Sequence, residues 1–141
     1  MNYAAGAPFS LEQLAGYTGK FASEHPDVQA VALVSTDGLV LASAGLAPEA
    51  ADQLAATTSG LTALALSGSV HFDLGDTTHV LVAYGSGTLL VCAVNDRCVM
   101  TVLTTSQSVG PTLYEMNRFA QAYGDSISPD VRRTLSALRR P

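Results

Sequence analysis

The sequence predicts an α/β (α+β) domain, with a five-stranded antiparallel-type sheet and helices on both faces. Two apolar runs, 28–35 and 39–44, flank Asp37-Gly38, a dipeptide typical of tight β-hairpins. The turn is predicted to be of type I′, with positive φ at both residues. Neither run alternates between apolar and polar residues, which indicates strands covered on both faces. Three further strand-like runs and three helical segments complete the predicted order α-β-β-α-β-β-β-α.

Helix one is predicted over residues 11–24. Ser10 and Gln13 have the spacing of a capping box, in which each side chain accepts a hydrogen bond from the other residue's backbone N–H. Apolar residues then recur at helical spacing as far as Ala22. The helix has to end before Pro26, because proline pushes the preceding residue out of the α region.

Helix two carries the strongest functional signal. Pro48 suits its first position, and residues 53–72 include no Asp, Glu, Lys or Arg. A surface helix normally has a charged outer face, so we expect a second subunit to bury this one, with burial inside its own domain as the alternative. The helix is expected to end between Leu66 and Phe72. The residues expected to face the sheet are Leu54, Leu61 and Leu64.

Three later strands and a last helix follow. The strands are predicted at roughly 78–84, 88–95 and 98–104, and short hairpin loops join them. The last helix is expected to open at Gly110 and to close at Gly124, since glycine commonly ends helices.

The two cysteines, Cys92 and Cys98, lie on either side of a tight turn. With a two-residue loop at 96–97, Cys92 is predicted to pair with Thr101. We expect no disulfide, because the two thiols would meet only after a register slip. Both lie in apolar strand runs, where a cysteine packs as a small hydrophobic residue.

Composition restricts the classes of function. Hydrophobic residues make up 48% of the chain and charged residues only 13%, too few to solvate the whole surface. The net charge of −5 argues against nucleic acid, whose phosphates need a basic face. No apolar run approaches the ~20 residues that span a bilayer, so we expect no direct membrane insertion. The expected location is the cytoplasm, with membrane recruitment only through partners.

The chain is expected to comprise three regions. They are a flexible N-terminus at 1–9, the folded domain at 10–127, and a short basic C-terminal helix or tail at 128–141. Before position 128 the chain has three basic and eleven acidic residues, whereas 128–141 holds four arginines and one aspartate. These arginines are Arg132, Arg133, Arg139 and Arg140.

Patterns that carry catalysis, cofactor binding or metal binding are not found. The three histidines have no metal-ligand spacing with cysteine or with each other. The segment 85–87, Gly-Ser-Gly, lacks the lysine of a phosphate-binding loop and joins two strands instead of opening a helix. We therefore expect no catalytic residue, no cofactor and no metal.

Four segments, taken in order, resemble one protein family. They are Ser35-Thr-Asp-Gly-Leu-Val-Leu-Ala-Ser43, Ala51-Asp-Gln-Leu-Ala-Ala56, Ser59-Gly-Leu-Thr62 and Leu113-Tyr-Glu-Met116. In this order and spacing they resemble the roadblock/LC7 family, in particular its actinobacterial branch. The resemblance covers about residues 10–135, nearly the whole chain, and implies the roadblock/LC7 fold.

The resemblance also implies a function. Such proteins lack catalytic residues, form homodimers through their second helices and third strands, and bind small Ras-like GTPases, and some stimulate hydrolysis. In this branch a sensor-kinase-like protein is a further expected partner. The dimer interface is expected at Gln53, Ala56, Thr57, Gly60, Ala63, Leu64, Thr78, Val80, Val82 and Tyr84. The partner surface is expected at Asp52, Thr58, Ser59, Thr62 and Arg97.

The main hypothesis is thus a non-catalytic, homodimeric adaptor or regulator of a small GTPase. An alternative is a small-ligand sensor domain of the PAS/GAF type, which also covers a sheet with helices and would need a pocket with a few polar groups among apolar ones. The weakest alternative is an enzyme that uses Cys92 or Cys98 as its nucleophile.

Overall fold

The computed structural model of the protein describes residues 7–131. Positions 1–6 of the predicted N-terminus and positions 132–141 of the predicted basic tail, with its four arginines, lie outside the described residues.

The order of helices and strands confirms the predicted one. The elements are α1 (Leu11–Glu24), β1 (Val28–Ser35), β2 (Val40–Ala44), α2 (Pro48–Phe72), β3 (His79–Tyr84), β4 (Gly87–Ala93), β5 (Cys98–Thr104), α3 (Gly110–Tyr123) and a short 3-10 turn, Gly124–Ser126.

The strands form one five-stranded sheet in the order β2-β1-β5-β4-β3, and every neighbouring pair is antiparallel. The sheet confirms the predicted fold class. Its two edges are β2, which pairs only with β1, and β3, which pairs only with β4.

The two faces of the sheet are covered unequally. On one face α1 and α3 together bury the larger core, which includes Leu14 and Phe21 from α1 and Met116 and Phe119 from α3. On the other face the smaller core packs against α2 alone. It consists of Ala32, Val34, Leu54, Ala55, Leu89, Val91 and Val99.

Helix α1 has the predicted boundaries and the predicted cap. Ser10 Oγ accepts a hydrogen bond from the Gln13 backbone N–H at 3.1 Å, and the Gln13 side chain accepts one from the Ser10 backbone N–H at 2.9 Å. The helix ends at Glu24, two residues before Pro26, because proline keeps the residue that precedes it out of the α region. Helix α3 also has the predicted boundaries, with Gly124 at its C-cap.

The prediction of a type I′ turn in the first hairpin is wrong. Gly38 has a φ of +90°, but Asp37 does not have a positive φ. The backbone N–H of Gly38 donates to Ser35 O at 2.9 Å, and Ser35 Oγ accepts from the Leu39 N–H at 3.0 Å and donates to Asp37. The Ser35 side chain thus stabilises a longer turn in which a single glycine needs the left-handed region.

The predicted register of the last hairpin is also wrong. Cys92 pairs with Met100 instead of Thr101, and residues 94–97 connect the two strands. The side chain of Asn95 explains the difference, because its amide donates to the backbone carbonyls of both Gly124 and Ile127 at 2.8 Å. These bonds hold Asn95 outside the strand pairing. Both cysteines are free, as expected.

The connection between β2 and α2 is tightly packed at one glycine, Gly45. Gly45 has a φ of +89°, and a Cβ atom there would overlap the backbone carbonyl oxygen of Gln29. We expect Gly45→Ala to lower the free energy of unfolding by about 2–4 kcal/mol through strain and steric overlap, measured by urea denaturation.

Gly19→Ala is the matched control. No heavy atom lies within 4 Å of a Cβ built on this glycine in α1, so the change should be neutral or stabilise the fold by up to about 1 kcal/mol. Equal destabilisation by the two changes would contradict the tight packing at Gly45.

Candidate functional site

Only part of α2 packs on the sheet. The fully or nearly buried residues of this 25-residue helix are Ala51, Leu54, Ala55 and Thr58, all in its first half. Leu61 is half-buried, and from Leu64 onwards large apolar side chains point into solvent. The second half of α2 therefore offers an apolar surface that the described part of the chain does not cover.

This surface continues onto strand β3. Among the described residues, nine large hydrophobic side chains are exposed, and seven of them lie in α2, directly after it, or in β3. Leu81 points to the face of the sheet that α1 and α3 cover, because it alternates with Val80 and Val82 of the smaller core and pairs with Leu90 of the larger one. We call the other six the α2–β3 surface. They are Leu64, Leu66, Val70, Phe72, Leu74 and Tyr84.

The exposed fractions show how unusual this surface is. Leu64, Val70, Phe72 and Leu74 are each between 72% and 79% exposed. No charged residue lies between Gln53 and Phe72 to solvate the helix. Single exposed apolar side chains are common in soluble proteins, but several along one uncharged helix favour an interaction site.

The edge strand β3 adds hydrogen-bonding capacity to the same surface. β3 pairs with β4 on one side, and its other edge carries backbone groups without a strand partner among the described residues. Its six residues, His79–Tyr84, include no Asp, Glu, Lys, Arg or Pro. Natural proteins usually protect such an edge with charge, proline or a covering element, and an unprotected edge can pair with another chain.

The structure places most of the predicted interface residues on this side of the molecule. Gln53, Ala56, Thr57, Gly60, Ala63 and Leu64 are exposed on the outer side of α2. Thr78 and Tyr84 are exposed beside or within β3, whereas Val80 and Val82 are half-buried and pack against the smaller core.

Two expectations for α2 are wrong. Leu64 does not face the sheet but is 74% exposed, because the inward stripe follows Leu54, Thr58 and Leu61 at helical spacing. Thr58 is completely buried, so it is not part of a partner surface.

Of the other predicted partner residues, Ser59 and Thr62 lie on the flank of α2 that faces the hairpin turns. Ser59 Oγ donates to the backbone carbonyl of Thr36 in the first hairpin at 3.4 Å, and Thr62 is half-buried. Asp52 is exposed. Arg97, which was expected on the partner surface, forms a bidentate ion pair with Asp130 at 3.0 and 2.8 Å.

Sequence reasoning missed three residues of the α2–β3 surface, Val70, Phe72 and Leu74, which lie outside the ranges Gln53–Leu66 and Thr78–Tyr84 expected for the dimer surface. The uncharged run to Phe72 was a signal for the first two, because it extends beyond the predicted interface.

The two thiols are poor nucleophiles. Burial raises the pKa of Cys98 to about 11 and also raises the pKa of Cys92. Both are buried in strands of the larger core, and Cys92 Sγ lies 3.4 Å from Asn117 Oδ1. Reactive cysteines have a lowered pKa and an accessible sulfur, and neither condition is met here.

The histidines of the described region are held in separate places. His25 lies 3.8 Å from Glu115, His79 contacts Asn117 at 2.9 Å, and His71 contacts the backbone carbonyl of Ser67 at 2.8 Å. Within residues 7–131 no three His, Cys, Asp or Glu side chains come together as a metal site.

The family is decided by comparison with known domains. The family model of the Roadblock/LC7 domain matches residues 19–104. The chain belongs to the Roadblock/LC7 family. Among curated proteins, none is significantly similar to the chain.

Solved structures of this family share the fold. A Roadblock/LC7 domain from Streptomyces avermitilis is 30% identical, with a TM-score of 0.74 over 77% of this chain and 92% of its own. MglB from Myxococcus xanthus, 16% identical, has a TM-score of 0.64 over 100% and 98%. The gliding protein MglB from Thermus thermophilus, 14% identical, has a TM-score of 0.65 over 85% and 87%.

Within residues 7–131, no helix combines the length and the hydrophobicity needed to cross a bilayer.

Thiol reactivity tests the exclusion of a cysteine nucleophile. At pH 8 a pKa of about 11 leaves only about one thousandth of Cys98 as thiolate. We expect iodoacetamide to leave both cysteines of the folded chain unmodified for hours at this pH, as followed by intact mass. In guanidinium chloride both should react within minutes, and fast alkylation of the folded chain would restore the enzyme hypothesis.

Proposed function

We propose that this Roadblock/LC7 protein is a homodimeric adaptor that binds and regulates a small Ras-like GTPase. The observation that carries the proposal is the uncharged α2–β3 surface, which combines exposed apolar side chains with an unpaired strand edge. It lies where the family resemblance predicts a dimer interface.

A second copy of the chain suits this surface because it would supply two things: a strand that pairs with the free edge of β3, and a second α2 helix. Two β3 strands that meet antiparallel would satisfy each other's free backbone groups and join two five-stranded sheets into one. The same two-fold axis would bring the outer sides of the two α2 helices together. Gly60, Ala56 and Ala63 are small enough to allow a close approach there.

The dimension of the sheet supports the same arrangement. Five strands about 4.8 Å apart span about 19 Å, whereas a helix is about 10–12 Å wide. One helix cannot cover such a face, and α2 leaves Val80 and Val82 only half-buried. A second α2 from a partner subunit would complete the layer.

Regulation by binding fits the chemistry of the chain. The described thiols have raised pKa values and the histidines are dispersed, so any effect on a GTPase would come from the shape of the complex. Family membership supports the GTPase as partner. A sensor-kinase-like second partner and a cytoplasmic location belong to the same proposal.

A small-ligand sensor is the second candidate, because one observation favours it. A cleft of about 610 Å³ lies between α1 and α3, with Phe21, Phe119 and Tyr123 beside His25 and Glu115. The rest of its lining is mainly polar or charged, with Lys20, Glu24, Arg118 and Gln121, whereas ligand sites typically have apolar walls with a few polar groups. The size of the cleft is therefore what favours this candidate. Stabilisation by a metabolite in a thermal-shift screen would favour this candidate over the adaptor.

Charged substitutions test the dimer. We expect Ala56→Arg and Ala63→Arg to raise the dimer dissociation constant at least about 100-fold, because an unpaired charge in the contact costs about 3–5 kcal/mol. Sedimentation velocity at micromolar concentration should show monomers. Ala15→Arg, an exposed alanine of α1, is the control and should remain dimeric. Dimers of all three variants would show that α2 is not the interface.

A capture experiment tests the partner. The chain is immobilised and incubated with cytoplasmic extract of its source organism, with either a GTP analogue or GDP, and retained proteins are identified by mass spectrometry. We expect a Ras-like GTPase that is retained with one nucleotide state in preference to the other. Equal retention in both states would indicate a scaffold, and no GTPase with an intact dimer would favour the ligand sensor.

A further inference from the structure

A second groove lies beside the α2–β3 surface, on the flank of α2 that faces the hairpin turns. It has a volume of about 420 Å³ and runs between the second half of α2, the segment before β3 and the β4–β5 hairpin. Its apolar lining is Leu66, Ala93, Val94 and Val99, and threonines border it at Thr36, Thr62, Thr77 and Thr78. We call it the α2 groove.

The α2 groove shares few residues with the proposed dimer contact, and Leu66 of the α2–β3 surface is one of them. Of the ten residues expected at the dimer interface, only Thr78 also lines the groove. The others lie on the outer side of α2 or in β3. Thr62, which was expected on the partner surface, lines the groove, and Ser59 lies one turn away with its hydroxyl on the Thr36 carbonyl.

All charged side chains that line the groove are acidic. They are Asp76, after α2, and Asp96, at the tip of the β4–β5 hairpin. Arg97 follows Asp96 in sequence, but both of its terminal nitrogens are bound to Asp130. The groove therefore combines apolar walls with a negatively charged rim. Among the described residues that line it, none is a lysine or an arginine.

Acidic residues also follow the end of α2. The carbonyl groups of its last turn carry the negative end of the helix dipole; Asp73 is its C-cap, and Asp76 lies four residues beyond its last residue, Phe72. Asp73 also adopts the left-handed conformation, with a φ of +53°. Acidic residues at a helix C-terminus destabilise the isolated helix, and such local conflicts are typical of sites that serve binding.

We infer that the α2 groove binds an amphipathic segment of the partner protein that presents arginine or lysine. The aliphatic part of such a side chain packs against Leu66 and Val99, and its charged end reaches Asp76 and Asp96. This inference rests on the proposed function, since the segment belongs to the protein that the dimer regulates. It adds the chemistry by which that protein is recognised.

Two synthetic peptides test the inference on the full chain. Both are fluorescein-labelled, about 14 residues long and share one amphipathic leucine pattern. One has lysine and the other has glutamate at every polar position. We expect binding of the lysine peptide in fluorescence anisotropy, with a dissociation constant that rises about tenfold between about 50 and about 300 mM NaCl. Equal binding of the glutamate peptide would overturn the inference.

Substitutions locate the binding. The double variant Asp76→Asn/Asp96→Asn should bind the lysine peptide about five- to tenfold more weakly at low salt, because two exposed charge pairs are lost. The control Glu12→Gln/Asp125→Asn changes the net charge equally at exposed positions away from the groove and should bind within about twofold of the original chain. Equal weakening by both variants would show that only net charge matters and would overturn the groove assignment.

Two further outcomes are distinguishable. If Arg132, Arg133, Arg139 and Arg140 are replaced by Gln and the lysine peptide then binds at least about tenfold more tightly, the chain's own arginines occupy the groove, and the inference of a separate partner is wrong. If a Ras-like GTPase binds in a nucleotide-dependent way and Asp76→Asn/Asp96→Asn does not weaken it, the proposed function stands and the inference fails. If the lysine peptide binds the groove but no GTPase binds the chain, the inference stands and the proposed function fails.

Discussion

The structure depends on one packing constraint: a single helix covers one face of a five-stranded apolar sheet. α1 and α3 share the opposite face and bury a continuous core there. On its own face α2 is too narrow to reach from β2 to β3, so its first half packs on the sheet and its second half remains exposed. The exposed apolar side chains of α2 follow from this incomplete coverage of the sheet.

The exposed half of α2 is built for contact in two different ways. Its outer side and the β3 edge are apolar and uncharged, which suits a two-fold symmetric contact between two copies of the same surface. Its flank toward the hairpins is apolar but bordered by Asp76 and Asp96, a combination that suits a basic partner. Under the two proposals, one helix would serve self-association and partner recognition with little overlap between the residues used.

The hairpin turns hold the surroundings of the groove in place through side-chain bonds to backbone. Ser59 ties α2 to the first hairpin, and Asn95 ties the last hairpin to the carbonyls at Gly124 and Ile127. The Arg97–Asp130 pair adds a charged contact between the same hairpin and the segment after α3. It is half exposed and contributes little free energy, so its effect is mainly to direct the Arg97 side chain away from the groove.

The sequence by itself determined the order of elements, the boundaries of α1 and α3, and the uncharged character of α2, because caps, glycines, prolines and apolar periodicity act over a few residues. The turn type at Asp37-Gly38, the pairing of Cys92 with Met100 and the burial of Thr58 were decided only by tertiary structure. Each depends on a contact between segments distant along the chain or on a side chain such as Ser35 or Asn95 that competes with the expected backbone geometry. The groove was also decided only by tertiary structure, since Asp76 and Asp96 line one groove only when the segment before β3 and the last hairpin pack beside α2.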